Sequence, residues 1–218
     1  MPNHIQNRIT FSGTMKDVEK VFDFLKGEDR VIDFNKIIPM PEELNITSGS
    51  EGTNGMNYLL YLNDEIANAH LKKYYEQVES MPEERKNECI ELGKAYLLNL
   101  SKYGHTTWYE WSCANWGTKW NAYRTYREGD ALYFQTAWSA VPELVSKIAE
   151  MFPEVSLEYD WADEDFGCNL GSGYSENGEF YYNYRDGDSD EDWELIFDLW
   201  GCRDSFEKVD GVWRWKEN

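Results

Sequence analysis

The densest group of chemically specific side chains runs from Trp108 to Trp120 (WYEWSCANWGTKW), with four tryptophans in 13 positions. Indole rings at this density can stack bases or sugars. In that reading Trp116 and Trp120 bracket a ring, while Lys119 and Arg124 neutralise a phosphate. The plainer alternative is that the rings seal a junction between an inserted segment and a sheet. A single-stranded nucleic-acid groove would add many cations, yet only Lys119, Arg124 and Arg127 lie near. Cys113 has no evident cation to make it a thiolate, so it reads as a small buried hydrophobe.

Two acidic stretches follow. Asp160, Asp163, Glu164 and Asp165 crowd one predicted turn, and Asp186, Asp188, Asp190, Glu191 and Asp192 crowd a second segment. Asp186, Asp188 and Asp190 match the first ligands of an EF-hand, but Glu191 replaces the turn glycine and Phe197 the closing glutamate. A calcium loop is therefore not expected, and the run reads as a solvated helix start. Paired carboxylates serve acid–base or Mg²⁺ chemistry only when a cleft holds them together, and no spacing here selects such a pair. FGCNLGSG lacks the lysine and following helix of a phosphate cradle and reads as bulge or turn chemistry. His4, His70 and His105 are isolated, and Cys89, Cys113, Cys168 and Cys202 form no CxxC pair. The sequence thus predicts no catalytic residue, no metal site and no cofactor.

Composition narrows the partners. The 218 residues include 41 acidic and 21 basic side chains, giving a formal charge of −20, and 16% are aromatic. Disordered acidic chains are poor in aromatics, so this chain is expected to fold. Direct contact with nucleic acid or an anionic membrane is disfavoured, because phosphate binding needs a basic face. No run approaches the roughly 20 apolar residues of a membrane span. The polar opening MPNHIQNRITF lacks a secretory pattern, and the unpaired cysteines suit a reducing compartment, so cytoplasm is expected.

The elements that would position these residues follow from periodicity. HIQNRITF alternates like a half-buried strand, and Thr14 is placed to cap a helix over about 15–26. VIDFNKIIPMPEEL reads as a short strand ended by prolines. Residues 45–57 read as a glycine-rich mobile loop. A helical hairpin is expected over about 60–105, with Cys89, Ile90, Leu92, Leu97 and Leu100 as its second apolar face. Two strands joined at Arg127–Asp130, a helix opened by Pro142, strands in VSLEYDW, FGCNLGSGY and GEFYYNYR, a helix in DSDEDWELIFDLWG and a closing hairpin at Asp210-Gly211 complete the list. The order predicts an α+β fold, a ferredoxin-like split βαβ sandwich with an inserted helical hairpin and extra C-terminal strands. We read 1–218 as one elaborated domain, with an insertion at about 60–105 and a C-terminal extension at about 174–218.

NWGTKWNA, the LYFQTAWSAVPELVSKIAEMFPEVSLEYDWADEDFG segment, the NRITFSG strand and FNKIIPMPEEL together resemble the YubB ferredoxin-like-domain family of plasmid and phage proteins. The resemblance spans most of residues 1–173. It implies a ferredoxin-like fold, a mobile-element setting and no established reaction.

Charge and setting together lead to a functional expectation. A compact body at −20 attracts basic protein surfaces and steers their encounter. The leading expectation is a non-enzymatic protein whose acidic face, Asp160, Asp163, Glu164, Asp165, Asp186, Asp188, Asp190, Glu191 and Asp192, binds a basic nucleic-acid-binding surface of a host protein. An anti-CRISPR or anti-restriction inhibitor that mimics DNA charge is its concrete form. The alternative is a nucleotide or signalling-ligand binder using Trp116, Lys119, Trp120 and Arg124. An exposed edge strand would also allow an oligomer by strand pairing.

Overall fold

In the computed structural model, which describes residues 3–216, the chain separates into two compact units, Met1–Pro39 with Asn115–Asn218, and Met40–Ala114. Met1 and Pro2 of the polar opening segment lie outside the described residues.

The first unit opens with β1 (His4–Ser12), whose side chains alternate between buried Ile5, Asn7, Ile9 and Phe11 and the less buried His4, Arg8 and Thr10. Helix α1 (Met15–Leu25) starts where the Thr14 hydroxyl accepts the Asp17 N–H at 3.2 Å, and it buries Val18, Val21, Phe22 and Leu25. The ring of Phe22 meets Phe11 edge-on, which seats α1 against one sheet face.

The strand expected in VIDFNKIIPMPEEL does not form. Asp33 caps the short helix α2 (Phe34–Ile37), and one 3₁₀ turn follows at Glu42–Leu44. The reason is local: the Asp33 carboxylate accepts the Asn35 N–H at 2.9 Å, and the Phe34 N–H goes to the Asn121 side chain at 2.9 Å. Backbone donors satisfied by side chains have no need of a ladder.

The vacant strand position is filled after the second unit by β2 (Tyr123–Glu128). It forms a hairpin with β3 (Ala131–Ala137) through Gly129-Asp130. Helix α7 (Pro142–Met151), β4 (Ser156–Asp163), β5 (Leu170–Glu176) and β6 (Glu179–Arg185) follow. The six-stranded antiparallel sheet has the order β2-β3-β1-β4-β5-β6. Its first four strands with α1 and α7 trace β-α-β-β-α-β, the ferredoxin-like plan, and β5 and β6 extend it beyond β4. Gly171 and Gly173 of FGCNLGSG lie within β5, paired to both neighbours, rather than at a bulge. Asn177-Gly178 makes the β5–β6 turn, with both residues at positive φ (52° and 82°), as a type I′ turn requires.

Helix α8 (Asp190–Trp200) covers part of the opposite face, where Ile196 and Leu199 pack on Ala162 and Leu170. A small hairpin, β7 (Phe206–Val209) and β8 (Val212–Trp215), completes this unit. The α8 start is a capping box: the Ser189 hydroxyl accepts the Asp192 N–H at 3.1 Å while the Asp192 carboxylate accepts the Ser189 N–H at 3.3 Å. Burial pushes the Asp192 carboxyl upward, but Ser189 and Arg185 outweigh it and hold its pKa below the usual value. A depressed carboxylate stabilises the fold above its unfolded value, and that contribution fades as pH falls through its folded value. Urea unfolding at neutral pH should show Ser189→Ala costing about 1 kcal/mol. Asp192→Asn should cost a similar amount there, with the loss shrinking below about pH 4 because wild type then loses the same carboxylate. A pH-independent Asp192→Asn loss would contradict the assignment.

The second unit holds α3 (Ser50–Asn63), α4 (Lys72–Glu79), α5 (Glu83–Tyr103) and all but the last residue of α6 (Trp108–Asn115). The glycine-rich 45–57 stretch is therefore helical from Ser50 onward, and the helical segment exceeds the expected 60–105 hairpin. A Cβ on Gly55 would lie 2.8 Å from the Cys89 carbonyl carbon and closer still to its oxygen. One on Gly93 would lie 2.5 Å from the Met56 nitrogen. These glycines let α3 and α5 cross backbone to backbone. The buried stripe of α5 is consequently Cys89, Gly93, Tyr96 and Asn99, whereas Leu98 and Leu100 are exposed. Tyr96 accepts the Gly49 N–H at 3.0 Å and donates to the Thr47 carbonyl at 2.7 Å, which ties down the segment before α3.

Candidate functional site

Two acidic stretches that lie twenty residues apart in sequence meet in the fold. The β4–β5 connection and the β6–α8 connection touch at Gly167 and Gly187. Both have positive φ, and a Cβ on Gly187 would fall 2.7 Å from the Gly167 carbonyl carbon. Beside this contact lies a concavity of about 330 Å³ whose aromatic walls are Phe166, Trp193 and Trp213 and whose rim carries Asp186, Asp188 and Asp190. Phe166, Phe206 and Trp215 also contact one another, so the aromatic wall continues into the C-terminal hairpin.

The acidic residues divide by role. Asp163 is buried and serves the turn: it receives the Asp165 N–H at 2.9 Å, the Asn3 amide at 3.2 Å and the Asn169 amide at 3.3 Å. Glu164 accepts the His4 N–H at 3.0 Å. Asp160 is paired with Arg8 at 2.8 Å, and Arg8 also meets Asp198. Burial opposes the Arg8 charge, but these two carboxylates outweigh it and raise its pKa. Asp190 receives Lys208 at 2.7 Å and the Trp213 indole N–H at 3.1 Å, and these bonds hold it below the usual carboxylate range. Asp192 belongs to the helix cap. Asp165, Asp186, Asp188 and Glu191 are exposed, and their side chains make no ion pair among the described residues. The outward-facing charge of the two stretches is therefore carried chiefly by these four.

The tryptophan block is split between the units, with Trp108 and Trp111 in one and Trp116 to Trp120 in the other. Trp116 is not available for stacking. It is buried, donates its indole N–H to the Ile38 carbonyl at 2.9 Å and lies edge-on to Phe34. Gly117 turns the chain at φ 74°, and buried Thr118 bolts the segment to β3 by bonds of 2.9 and 3.1 Å with Ala137. These anchors place Lys119 between Trp120 and Trp138, its ammonium 4.6 Å and 4.9 Å from the two rings. Trp138 sits at φ 71°, a left-handed conformation that is strained for a bulky residue. Arg124 points elsewhere, donating to Gln135 at 3.2 Å.

The sequence reading missed two sets of residues. Trp138 replaces Trp116 as the second ring at Lys119, and no periodicity marks its unusual backbone. Glu158, Tyr174, Tyr181 and Asn183 line a second concavity of about 400 Å³ on the sheet. Their alternation within SLEYDWAD, LGSGYSE and EFYYNYR carried that signal, once each strand's buried partners were assigned to the other face.

Among the described residues no helix is long and apolar enough to cross a membrane, and no cluster of three or more metal-ligating side chains occurs. No curated protein matches the chain. The crystal structure of a protein api92 from Yersinia pseudotuberculosis is similar at 13% identity and a TM-score of 0.41, covering 85% of this chain and 99% of that one. Residues 115–203 match the family model described as the ferredoxin-like domain in Api92-like protein, and this chain is α+β with that ferredoxin-like fold.

Proposed function

We propose that the protein is a non-enzymatic interaction module that binds a basic, nucleic-acid-binding surface of another protein in the cytoplasm. The observation that carries this reading is the meeting of the two acidic connections at Gly167 and Gly187, which sets exposed Asp186 and Asp188 on the rim of one aromatic-walled concavity, with exposed Asp165 two residues before Gly167 and exposed Glu191 in the first turn of α8. A concentrated negative field on a chain of net charge −20 speeds encounter with basic surfaces, while aromatic walls add short-range contact. The resemblance to the YubB family of phage and plasmid proteins suggests a host target and an anti-defence role, either anti-CRISPR or anti-restriction.

The test is capture from nuclease-treated bacterial lysate at low and moderate salt. Wild type is compared with the combined Asp165→Asn, Asp186→Asn, Asp188→Asn and Glu191→Gln variant. None of these side chains makes an ion pair within the described fold, so the variant should retain the wild-type circular dichroism. A basic nucleic-acid-binding protein should be retained by wild type, weakened by salt and lost with the variant. Capture of no basic partner, or capture indifferent to salt and to the variant, would overturn the proposal.

A second reading is supported by Lys119 between Trp120 and Trp138, an arrangement suited to a planar anionic ligand such as a nucleotide. Titration with a nucleotide panel should then quench tryptophan fluorescence in wild type and not in Trp138→Ala. Unchanged fluorescence across the panel would exclude this reading.

A further inference from the structure

The open half of the sheet carries a different chemistry from the acidic connections. Helix α8 packs on the row Ala162–Leu170, and the next two rows line an open concavity. Strand register fixes their members: Glu158, Tyr174 and Tyr181 stand side by side across β4, β5 and β6, and Asp160, Ser172 and Asn183 form the next row. Together they line the concavity of about 400 Å³, with Arg185 at its end. Tyr174 and Tyr181 are 54% and 46% exposed, and their ring centroids are 5.6 Å apart, so two aromatic faces are presented to solvent on a rigid sheet.

The charges in this concavity are unequally satisfied. Arg185 is held by Asp192 at 3.4 Å and by the Ser172 hydroxyl at 2.9 Å, and Asp160 is held by Arg8 at 2.8 Å. Glu158 is exposed and makes no ion pair among the described residues. What remains open to a ligand is one carboxylate, one amide and two tyrosine rings, with Glu176 and Glu179 on the adjoining turn. Such a set is negative and aromatic. A planar guanidinium fits both properties, because it stacks on a ring and offers paired N–H donors to a carboxylate. An ammonium is a point charge that gains less from either.

We propose that Tyr174, Tyr181 and Glu158 form an arginine-recognition site, which takes an arginine side chain of the basic partner, stacked on the tyrosines and paired end-on with Glu158. The proposal rests on the reading of the protein as a binder of basic surfaces and specifies which cationic side chain it selects on the sheet face.

The probes are fluorescein-labelled nona-arginine and nona-lysine peptides of equal charge, titrated with the full chain by fluorescence anisotropy. The arginine peptide should bind about 5- to 30-fold tighter than the lysine peptide. Tyr174→Ala and Glu158→Gln should each remove most of that preference while leaving lysine-peptide binding unchanged. Both substitutions are at exposed positions, and circular dichroism checks that the fold persists. Equal affinity for the two peptides, or a preference untouched by both substitutions, would overturn the arginine site while leaving the parent reading intact. Binding of neither peptide would remove the parent reading and this site together. A preference abolished only by neutralising Asp186 and Asp188 would place arginine recognition at the acidic connections and refute the sheet-face assignment.

Discussion

Gly93→Ala is expected to destabilise the Met40–Ala114 unit by about 3 kcal/mol or more. Helix propensity argues the other way, since alanine improves on glycine inside a helix by about 1 kcal/mol. Sterics decide the sign. A Cβ at Gly93 lies 2.5 Å from the Met56 nitrogen and closer to the Gly55 carbonyl carbon, and these are backbone atoms that cannot rotate away. Helices α3 and α5 would have to separate, loosening the cluster of Tyr58, Val78 and Cys89. Gly55→Ala should behave alike, because its Cβ would meet the Cys89 carbonyl. Hydrogen exchange of amides in α3 and α5 reads the effect within that unit. Protection within about 0.5 kcal/mol of wild type would show that the helices do not cross at the glycines.

The second large effect lies under the sheet. Tyr159 is fully buried on β4, donates its hydroxyl proton to the Asn7 side-chain oxygen at 2.6 Å and accepts the Val141 N–H at 2.9 Å. The Asn7 amide donates to the carbonyls of Ile5 (2.9 Å) and Phe134 (3.3 Å) and to the Thr136 hydroxyl (3.0 Å). One asparagine therefore links β1, β3 and β4 at the centre of the ferredoxin-like core. Asn7→Ala should cost about 3 kcal/mol, because it opens a small cavity and strands several buried polar groups at once. Tyr159→Phe should cost about 1–3 kcal/mol, and the double variant less than the sum, since the second change removes a group already orphaned. Burial drives the Tyr159 pKa upward. Its neutral form therefore contributes stability that is present below the ordinary tyrosine value and is lost as pH rises above about 10. Tyr159→Phe should flatten that alkaline loss, and additive costs in the double variant would show that the two residues act independently.

How far the sequence could reveal this molecule depended on the kind of signal. Alternation in HIQNRITF, the type I′ turns at Asn177-Gly178 and Asp210-Gly211, the proline opening α7 and the acidic start of α8 are local, and each led to the correct element. The element in VIDFNKIIPMPEEL was misread because its backbone is satisfied by Asp33 and Asn121, and Asn121 lies 87 residues from Phe34. The glycines at 52 and 55 carried a loop composition, although their use is in a helix crossing that no local pattern reveals. Of the expected α5 face only Cys89 is fully buried, Ile90, Leu92 and Leu97 are partly buried and Leu100 is exposed, because a glycine contact turned α5 to bury Gly93 and Asn99 instead. For the candidate site, the acidic segments were plain in composition, yet their meeting depended on Gly167 and Gly187. The internal partners of Asp163, Asp190 and Asp192 were equally invisible. Trp116 was misplaced for a similar reason: a tryptophan that supports a stacking surface and one that is itself the surface look identical in sequence.

In the proposed function, this protein occupies a surface where its target otherwise holds nucleic acid. The most direct measurement titrates a short DNA duplex into the purified complex with the captured partner and follows the partner's distribution by anisotropy of labelled DNA. The expected result is mutual exclusion: DNA and this protein compete for one surface, and the Asp165→Asn, Asp186→Asn, Asp188→Asn, Glu191→Gln variant fails to displace DNA. A stable ternary complex in which the partner holds DNA and this protein together would contradict it.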